Sequence, residues 1–109
     1  MNWISLESAQ QLDGIKQHQG YSIIFKHSTR CSISLMAKRR MEMDASALPE
    51  NLPIYFLDLI KYRDISNQIA QDFHVYHQSP QLLLIKDGEC ILDQSHSDIS
   101  VEEALSEVN

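Results

Sequence analysis

Two long apolar runs mark the predicted centre of the fold. Residues 21–25 hold two adjacent isoleucines flanked by aromatic residues, and residues 54–59 form a nearly uninterrupted apolar run that includes a tyrosine and a phenylalanine. Neither run alternates apolar with polar residues along its length, which is the pattern of a strand covered on both faces. We therefore predict two buried strands, with the first in the middle of a sheet.

Apolar residues recur at helical spacing in three segments around these strands. Ser8 followed by Gln11 is a capping-box signature for a first helix. The second helix is predicted at 32–43, and Asp64 is the predicted N-cap of a third helix. One apolar stripe of the second helix is predicted to face the core, formed by Ile33, Met36, Ala37 and Met41. Strands that alternate with helices predict right-handed crossovers and parallel strand pairing.

The pattern changes after residue 80. Residues 81–86 and 89–93 are β-like runs joined by Asp87-Gly88, the sequence of a two-residue hairpin turn. Ser100 and Glu103 then form a second capping-box signature before a last helix. These elements predict one α/β domain over residues 1–109. Its central mixed sheet has a parallel βαβ half and an antiparallel hairpin and is flanked by helices.

Composition limits the classes of partner. With 109 residues, of which 43% are hydrophobic, the chain is long enough for one packed core. Its net charge of −6 lacks the basic footprint that nucleic acid or an anionic membrane surface requires. No apolar run approaches the length of a bilayer span, and no segment has the pattern of a signal peptide. We therefore expect a cytoplasmic protein that binds neither nucleic acid nor membrane.

Cys31 is the candidate nucleophile. It follows the first buried strand after a short polar turn and stands immediately before the second helix. A sulfur at a helix N-terminus faces free backbone N–H groups at the positive end of the helix dipole, which favours the thiolate. Ser34 stands where a dithiol oxidoreductase has its second cysteine, so the motif is C-x-x-S. Attack on a disulfide then gives a mixed disulfide that a thiol from outside the motif must resolve.

Four neighbours of Cys31 are assigned supporting roles. Ser34 is one helical turn away, and its hydroxyl is predicted to hydrogen-bond the thiolate. The anion is also predicted to be favoured by three basic side chains within a few residues, Lys26, His27 and Arg30. A metal site built on His27 and Cys31 is not expected, because the turn lacks helical spacing and no second ligand pair follows.

The order of elements resembles the thioredoxin fold over nearly the whole chain. That family has a cysteine at a strand-to-helix turn, then a helix, a proline that opens a strand, a hairpin and a final helix. Residues 74–89, HVYHQSPQLLLIKDGE, resemble the thioredoxin stretch that contains the active-site cis-proline, which implies a cis peptide bond at Pro80. The resemblance also implies that the backbone of Ser79 pairs with the extended backbone of a bound thiol or peptide.

More narrowly, the segment FKHSTRCSIS and the C-x-x-S motif resemble the monothiol bacilliredoxins, bacterial proteins that use the low-molecular-weight thiol bacillithiol. The resemblance implies an oxidoreductase that removes bacillithiol from mixed disulfides on proteins, with Cys31 as the active thiol. Bacillithiol is then the co-substrate and bacillithiolated proteins are the partners, without a metal. Ser32 occupies a place where many redox motifs of this kind carry proline, which affects the tuning of the thiol rather than its identity.

Cys90 lies in the second arm of the hairpin. Counting back across the turn places it opposite the later part of the strand that begins at Pro80, at a distance from Cys31. We expect a structural role as a small buried hydrophobe, with a resolving role as the alternative. Two other functions stay open: a dithiol reductase that uses both cysteines, and a non-catalytic thioredoxin-like module that presents the Pro80 groove to a protein partner.

Overall fold

The computed structural model describes residues 1–108. This part of the chain contains five strands and four α-helices, and two short 3₁₀ turns, Ala45–Ala47 and His96–Asp98, lie in the connections. No helix in it combines the length and the apolar character that crossing a bilayer requires. The elements are β1 (Trp3–Ser5), α1 (Ala9–Gln17), β2 (Tyr21–His27), α2 (Ser32–Met43), β3 (Ile54–Asp58), α3 (Arg63–Asp72), β4 (Gln81–Lys86), β5 (Glu89–Ser95) and α4 (Val101–Leu105).

The strands form one mixed sheet in the order β1-β3-β2-β4-β5. β3 pairs in parallel with both β1 and β2, whereas β4 runs antiparallel to β2 and β5 antiparallel to β4. The β4–β5 pairing shifts register between Leu84 and Ile85, so the hairpin contains a bulge or similar irregularity. The predicted α/β class, with a parallel βαβ half and an antiparallel hairpin, is confirmed.

Helices cover both faces of this sheet. On one face, Ile23 and Phe25 of β2 pack in a cluster with buried residues of α2 and α4. On the other face, Ile24 packs with buried residues of α1 and α3. Alternate side chains of a strand point to opposite faces, so β2 contributes to both clusters. β2 is therefore the buried central strand that its apolar run predicted, and it is covered from Ser22 to His27.

Three details differ from the predicted pattern. β1 was not predicted from the sequence, because a three-residue, mostly exposed edge strand is too short for its pattern to be recognised. Tyr62, rather than Asp64, is the N-cap of α3, and Asp64 lies in the first turn, where its charge favours the helix dipole. The second capping box is incomplete: Ser100 caps α4 through the Glu103 amide, but its own amide donates to Gln94 Oε1 at 3.0 Å.

The buried face of α2 also differs from the predicted stripe. Ile33 and Met36 are 47% and 59% exposed, and the face toward the sheet is formed by Ser34, Ala37 and Met41. The periodicity assigned the apolar residues to the core and left the serine out. Ser34 is buried because its hydroxyl has hydrogen-bond partners inside the fold, as described below.

The predicted Asp87-Gly88 turn joins β4 to β5 and also contacts the start of β2. Both turn residues have positive φ, 50° for Asp87 and 82° for Gly88, as a type I′ turn requires. The Asp87 amide donates to Gly20 O at 2.9 Å, and the Gly20 amide donates to the Asp87 carboxylate at 2.6 Å. A Cβ on Gly88 would also collide with the Lys16 carbonyl. The hairpin turn is therefore packed against the end of α1 and the entry to β2.

We predict that Gly88→Ala lowers the free energy of unfolding by about 2 kcal/mol or more, because it adds backbone strain at positive φ to that collision. Gly14→Ala is the control, since Gly14 lies in α1 and a Cβ there meets no atom within 4 Å. This control should raise the stability by up to about 1 kcal/mol. Urea unfolding of both variants tests the pair, and equal stability of Gly88→Ala and wild type would contradict the account of the turn.

Candidate active site

Cys31 is the N-cap of α2, in the turn that follows β2. Its backbone is extended, its amide donates to Ser28 O at 3.2 Å, and its carbonyl accepts the first helical hydrogen bond from Leu35 at 3.1 Å. The thiol is free and half-buried, and it makes no capping bond to the helix. The first amides of a helix have no intrahelical acceptor. The sulfur therefore lies at a helix start whose N–H groups it does not use in the resting structure.

Ser34 lies on the buried side of this turn and links it to the end of β2. Its wholly buried hydroxyl accepts a hydrogen bond from the Ser28 amide at 3.0 Å and lies 2.7 Å from His27 Nδ1. These two partners, rather than Cys31, satisfy the hydroxyl in this structure, which corrects the predicted bond to the thiolate. Ser34 thus joins the first turn of α2 to the end of β2, and it holds the segment in which Cys31 stands.

His27 is buried and is not the charged neighbour that the sequence predicted. Its ring packs 5.2 Å from the Phe56 ring and 5.9 Å from the Phe25 ring, measured between centroids. Burial lowers the pKa of His27 below its usual value of 6.5, and the nearby Lys38 ammonium lowers that pKa further, although Asp58 and Ser34 oppose the shift. The imidazole is therefore neutral near pH 7, and it serves as the partner of Ser34.

Lys26 points to the opposite face of the sheet from His27. Its side chain is wholly buried, and its ammonium donates to Ser66 O of α3 at 3.1 Å and lies 3.3 Å from His77 Nδ1. Burial lowers the pKa of Lys26 to about 8. Its partners are thus in α3 and in the segment after it, which corrects the prediction that Lys26 acts as a neighbour of the sulfur.

Arg30 is exposed in the turn next to Cys31. Within residues 1–108 it takes part in no salt bridge and no side-chain hydrogen bond. Its guanidinium is therefore available to an anionic group at the start of α2, and its supporting role stays a prediction.

The Ser79–Pro80 peptide bond is cis, as the resemblance implied. Lys26 of β2 pairs with Gln81 of β4, so one step further along this antiparallel pair brings Pro80 beside His27. The cis-proline therefore lies at the end of β2 from which the chain turns to Cys31. Among the backbone hydrogen bonds of the described loops and turns, none involves Ser79. Its N–H and C=O are available for the predicted pairing with a bound thiol or peptide.

Cys90 lies at the opposite end of the sheet. It pairs with Ile85, which pairs with Ser22, five positions before His27 on β2. At ~3.3 Å per residue this offset is about 16 Å, well beyond the ~7 Å between Cα atoms that a disulfide spans. Cys90 packs against the cluster under α1 and α3, and burial raises the pKa of its thiol to about 11. This geometry favours the structural role and argues against a direct disulfide with Cys31.

The residues that hold this end of the sheet together were not predicted from the sequence. The sequence pattern assigned no site role to His77, Ser66 or Gln81. One signal was present, because Lys26 and His27 directly continue an apolar run that reads as buried on both faces. Polar side chains at the end of such a strand require buried partners. Nothing in the local pattern indicated which residues these partners are.

Comparison with known proteins places these features in a family. The profile of the monothiol bacilliredoxin BrxC family matches residues 4–104, nearly the whole chain. Among solved structures, one described as a candidate oxidoreductase with a thioredoxin fold is 29% identical. Its alignment covers 95% of this chain and 91% of that one, with a TM-score of 0.84.

Two thioredoxins illustrate the fold at lower identity. Reduced Schistosoma mansoni thioredoxin is 15% identical, with all of both chains covered and a TM-score of 0.78. Mitochondrial thioredoxin 3 from Saccharomyces cerevisiae is 16% identical, with 95% of this chain and 93% of that chain covered and a TM-score of 0.78. The predicted thioredoxin fold is confirmed by these similarities.

We predict that Ser34→Ala lowers the free energy of unfolding by about 2 kcal/mol, since it leaves the Ser28 amide and His27 Nδ1 without their buried partner. Ser32→Ala is the matched control: Ser32 is the exposed first residue of the same helix, and its replacement should change stability by less than about 0.5 kcal/mol. Guanidinium unfolding measures both variants. Equal effects at the two positions would show that the buried hydroxyl does not hold the turn.

We also predict that iodoacetamide modifies Cys31 and spares Cys90 at pH 7–9. A thiol with a pKa near 11 is only about 1% thiolate at pH 9, and only the thiolate is the nucleophile. Cys90 should therefore label faster as the pH rises toward 11, or once urea unfolds the chain. Peptide mass mapping of a labelling time course measures both sites. Rapid labelling of folded Cys90 at pH 8 would contradict its burial.

Proposed function

The chain belongs to the monothiol bacilliredoxin family, and on this basis we propose that it removes bacillithiol from mixed disulfides on proteins. Family membership and the thioredoxin fold support a thiol redox function in general. The choice of bacillithiol as co-substrate, and of bacillithiolated proteins as partners, is the more specific part of the proposal. The reaction is assigned to a reducing compartment, the bacterial cytoplasm.

One observation carries the single-thiol mechanism. Cys31 is half-buried at the start of α2, while the position three residues on holds a buried hydroxyl that already has two partners inside the fold. Cys90 is at the other end of the sheet, within the β4–β5 hairpin. The site therefore offers one thiol to a disulfide and no second thiol to resolve the product.

The proposed reaction has two exchange steps. The Cys31 thiolate attacks the bacillithiol sulfur of the mixed disulfide, a new S–S bond forms between them, and the substrate cysteine leaves as a thiolate that takes up a proton. A free bacillithiol thiolate then attacks the sulfur of the bound bacillithiol. This step regenerates the Cys31 thiolate and releases oxidised bacillithiol, so the electrons for the reduction come from bacillithiol.

The surroundings of Cys31 support these steps in three ways. The unpaired amides at the start of α2 and the exposed Arg30 favour negative charge on the attacking and leaving sulfurs. The free backbone groups of Ser79 pair with the extended backbone beside the reacting disulfide. Ser34 and His27 hold the turn, because the serine hydroxyl ties α2 to β2.

We predict that oxidised bacillithiol adds one bacillithiol mass to the wild-type protein and to Cys90→Ser, and none to Cys31→Ser. Added free bacillithiol should remove the adduct, and intact-mass analysis follows both reactions. Oxidised glutathione serves as the comparison for the choice of thiol. When a bacillithiolated protein is the substrate, its free-thiol form should appear only if Cys31 is present.

Other outcomes identify the alternative functions. Loss of two protons that requires both cysteines would indicate a dithiol reductase. Absence of any modification at Cys31 would leave the non-catalytic thioredoxin-like binding module. Equal rates with glutathione and bacillithiol would retain the exchange reaction but overturn the assignment of the co-substrate.

A further inference from the structure

The end of the central strand carries a buried cation that neither of the two proposed exchange steps involves. Lys26 is wholly buried on β2, and no carboxylate forms a salt bridge with it among residues 1–108. Its acceptors are a helix carbonyl, Ser66 O at 3.1 Å, and a ring nitrogen, His77 Nδ1 at 3.3 Å. A buried charge costs free energy even with such partners, and an apolar residue would suit the covered strand better. The contacts that Lys26 makes therefore call for an explanation beyond packing.

Those contacts lead to the segment that carries the cis-proline. His77 stands three residues before Pro80, and its Nδ1 also lies 3.3 Å from the Ser66 hydroxyl. Lys26 thus joins this segment to β2 and to α3 at once. The segment is the part of the chain whose free Ser79 backbone is proposed to receive the substrate.

A second buried side chain holds the same segment. Gln81, the neighbour of Lys26 across the β2–β4 pair, is wholly buried. Its amide nitrogen donates to Tyr76 O at 3.0 Å, and its amide oxygen accepts from the Gln78 amide at 3.4 Å. The side chains of Lys26 and Gln81, which are neighbours in the sheet, therefore contact three successive residues, 76–78. The exposed segment before Pro80 is supported by side chains rather than by regular backbone pairing.

The contact with Lys26 also determines the state of His77. An ammonium only donates hydrogen bonds, so His77 Nδ1 must be the unprotonated nitrogen that accepts. Desolvation lowers the pKa of His77 below 6.5, and the positive charges of Lys26 and Arg63 lower it further. Near pH 7 the ring is therefore neutral, which is the form that accepts from Lys26.

We propose that Lys26 is a positioning residue for thiol exchange: through His77 it holds the segment 76–80, and hence the Ser79 backbone, in place to bind the substrate. This inference rests on the proposed function. It differs from the role first expected for Lys26, a direct charge effect on the Cys31 sulfur. The two roles separate experimentally, because one acts on the bound substrate and the other on the thiol itself.

The test compares Lys26→Met with Lys86→Met. Both variants lose one positive charge, but Lys86 is exposed at the far end of β4. For Lys26→Met we predict a fall in kcat/KM for bacillithiol removal of roughly tenfold or more, as misplacement of a substrate-binding group produces. The rate at which iodoacetamide alkylates Cys31 should stay within twofold of the wild-type rate. Lys86→Met should match the wild type in both measurements.

An NMR titration of His77 gives a readout that is independent of exchange activity. In Lys26→Met the pKa of His77 should rise toward its usual value, because a like charge has been removed. Lys86→Met should leave the His77 titration unchanged. An unaltered His77 pKa in folded Lys26→Met would show that the two side chains are not coupled, and it would overturn the inference.

If Lys26→Met does not fold, variants of His77 test the same contact. The side chain of His77 is exposed at the surface, so its replacement leaves the core intact. His77→Ala should lose exchange activity as Lys26→Met does, whereas His77→Asn should recover most of it, since an amide oxygen can take the place of Nδ1 as acceptor. Wild-type activity in His77→Ala would contradict the positioning role.

The remaining outcomes distinguish this inference from the function on which it rests. A parallel fall in alkylation rate and exchange rate in Lys26→Met would assign Lys26 to the thiol and not to the substrate segment. If the wild-type protein itself lacks exchange activity, the proposed function fails. The coupling of Lys26 with His77 is then still decided by the NMR titration.

Discussion

The structure depends on how its central strand ends. β2 is covered on both faces, yet its last two side chains, Lys26 and His27, are polar and buried. A buried polar group without a partner costs more free energy than an ordinary hydrogen bond contributes, so each side chain must be satisfied within the layer that covers it. Because successive side chains of a strand point to opposite faces, Lys26 reaches α3 and His27 reaches α2.

These two sets of partners are the two halves of the candidate site. His27 contacts Ser34 and thereby holds the turn with the Cys31 sulfur, whereas Lys26 contacts the segment that leads to the cis-proline. The antiparallel pairing of Lys26 with Gln81 then determines how far apart the halves lie. One strand end thus orients both the thiol and the backbone edge beside it, because the sheet is the rigid element common to them.

The two cysteines differ because the same sheet separates them. Cys31 lies in the turn after β2, where a helix begins, and Cys90 lies in β5 near the hairpin turn at the opposite end. Burial keeps Cys90 in its thiol form, whereas the position of Cys31 gives it solvent and unpaired amides. This arrangement agrees with the C-x-x-S motif and with membership in the monothiol bacilliredoxin family.

Local patterns determined much of this protein. The helices α1 and α2, the two buried strands, the Asp87-Gly88 turn and the spacing of Cys31 from Ser34 could be predicted from the sequence, since helix caps, apolar runs and turn residues act over a few positions. The resemblance added the thioredoxin fold and the cis bond at Pro80. A short edge strand such as β1 could not be predicted in this way, because its partner β3 lies some fifty residues away.

Only the tertiary structure decided what the polar residues of the site do. From the sequence, Lys26, His27 and Ser34 were all predicted to act on Cys31, because they are its neighbours along the chain. In the fold, Lys26 contacts His77, whereas His27 and Ser34 contact each other and Ser34 also accepts from the Ser28 amide. Lys26 and His27 face opposite sides of the sheet. The direction of a side chain depends on strand register and on the layer packed above it, which are properties of distant segments. The position of Cys31 between a strand and a helix therefore identified the candidate nucleophile from the sequence, while the sheet determined which residues hold its turn in place.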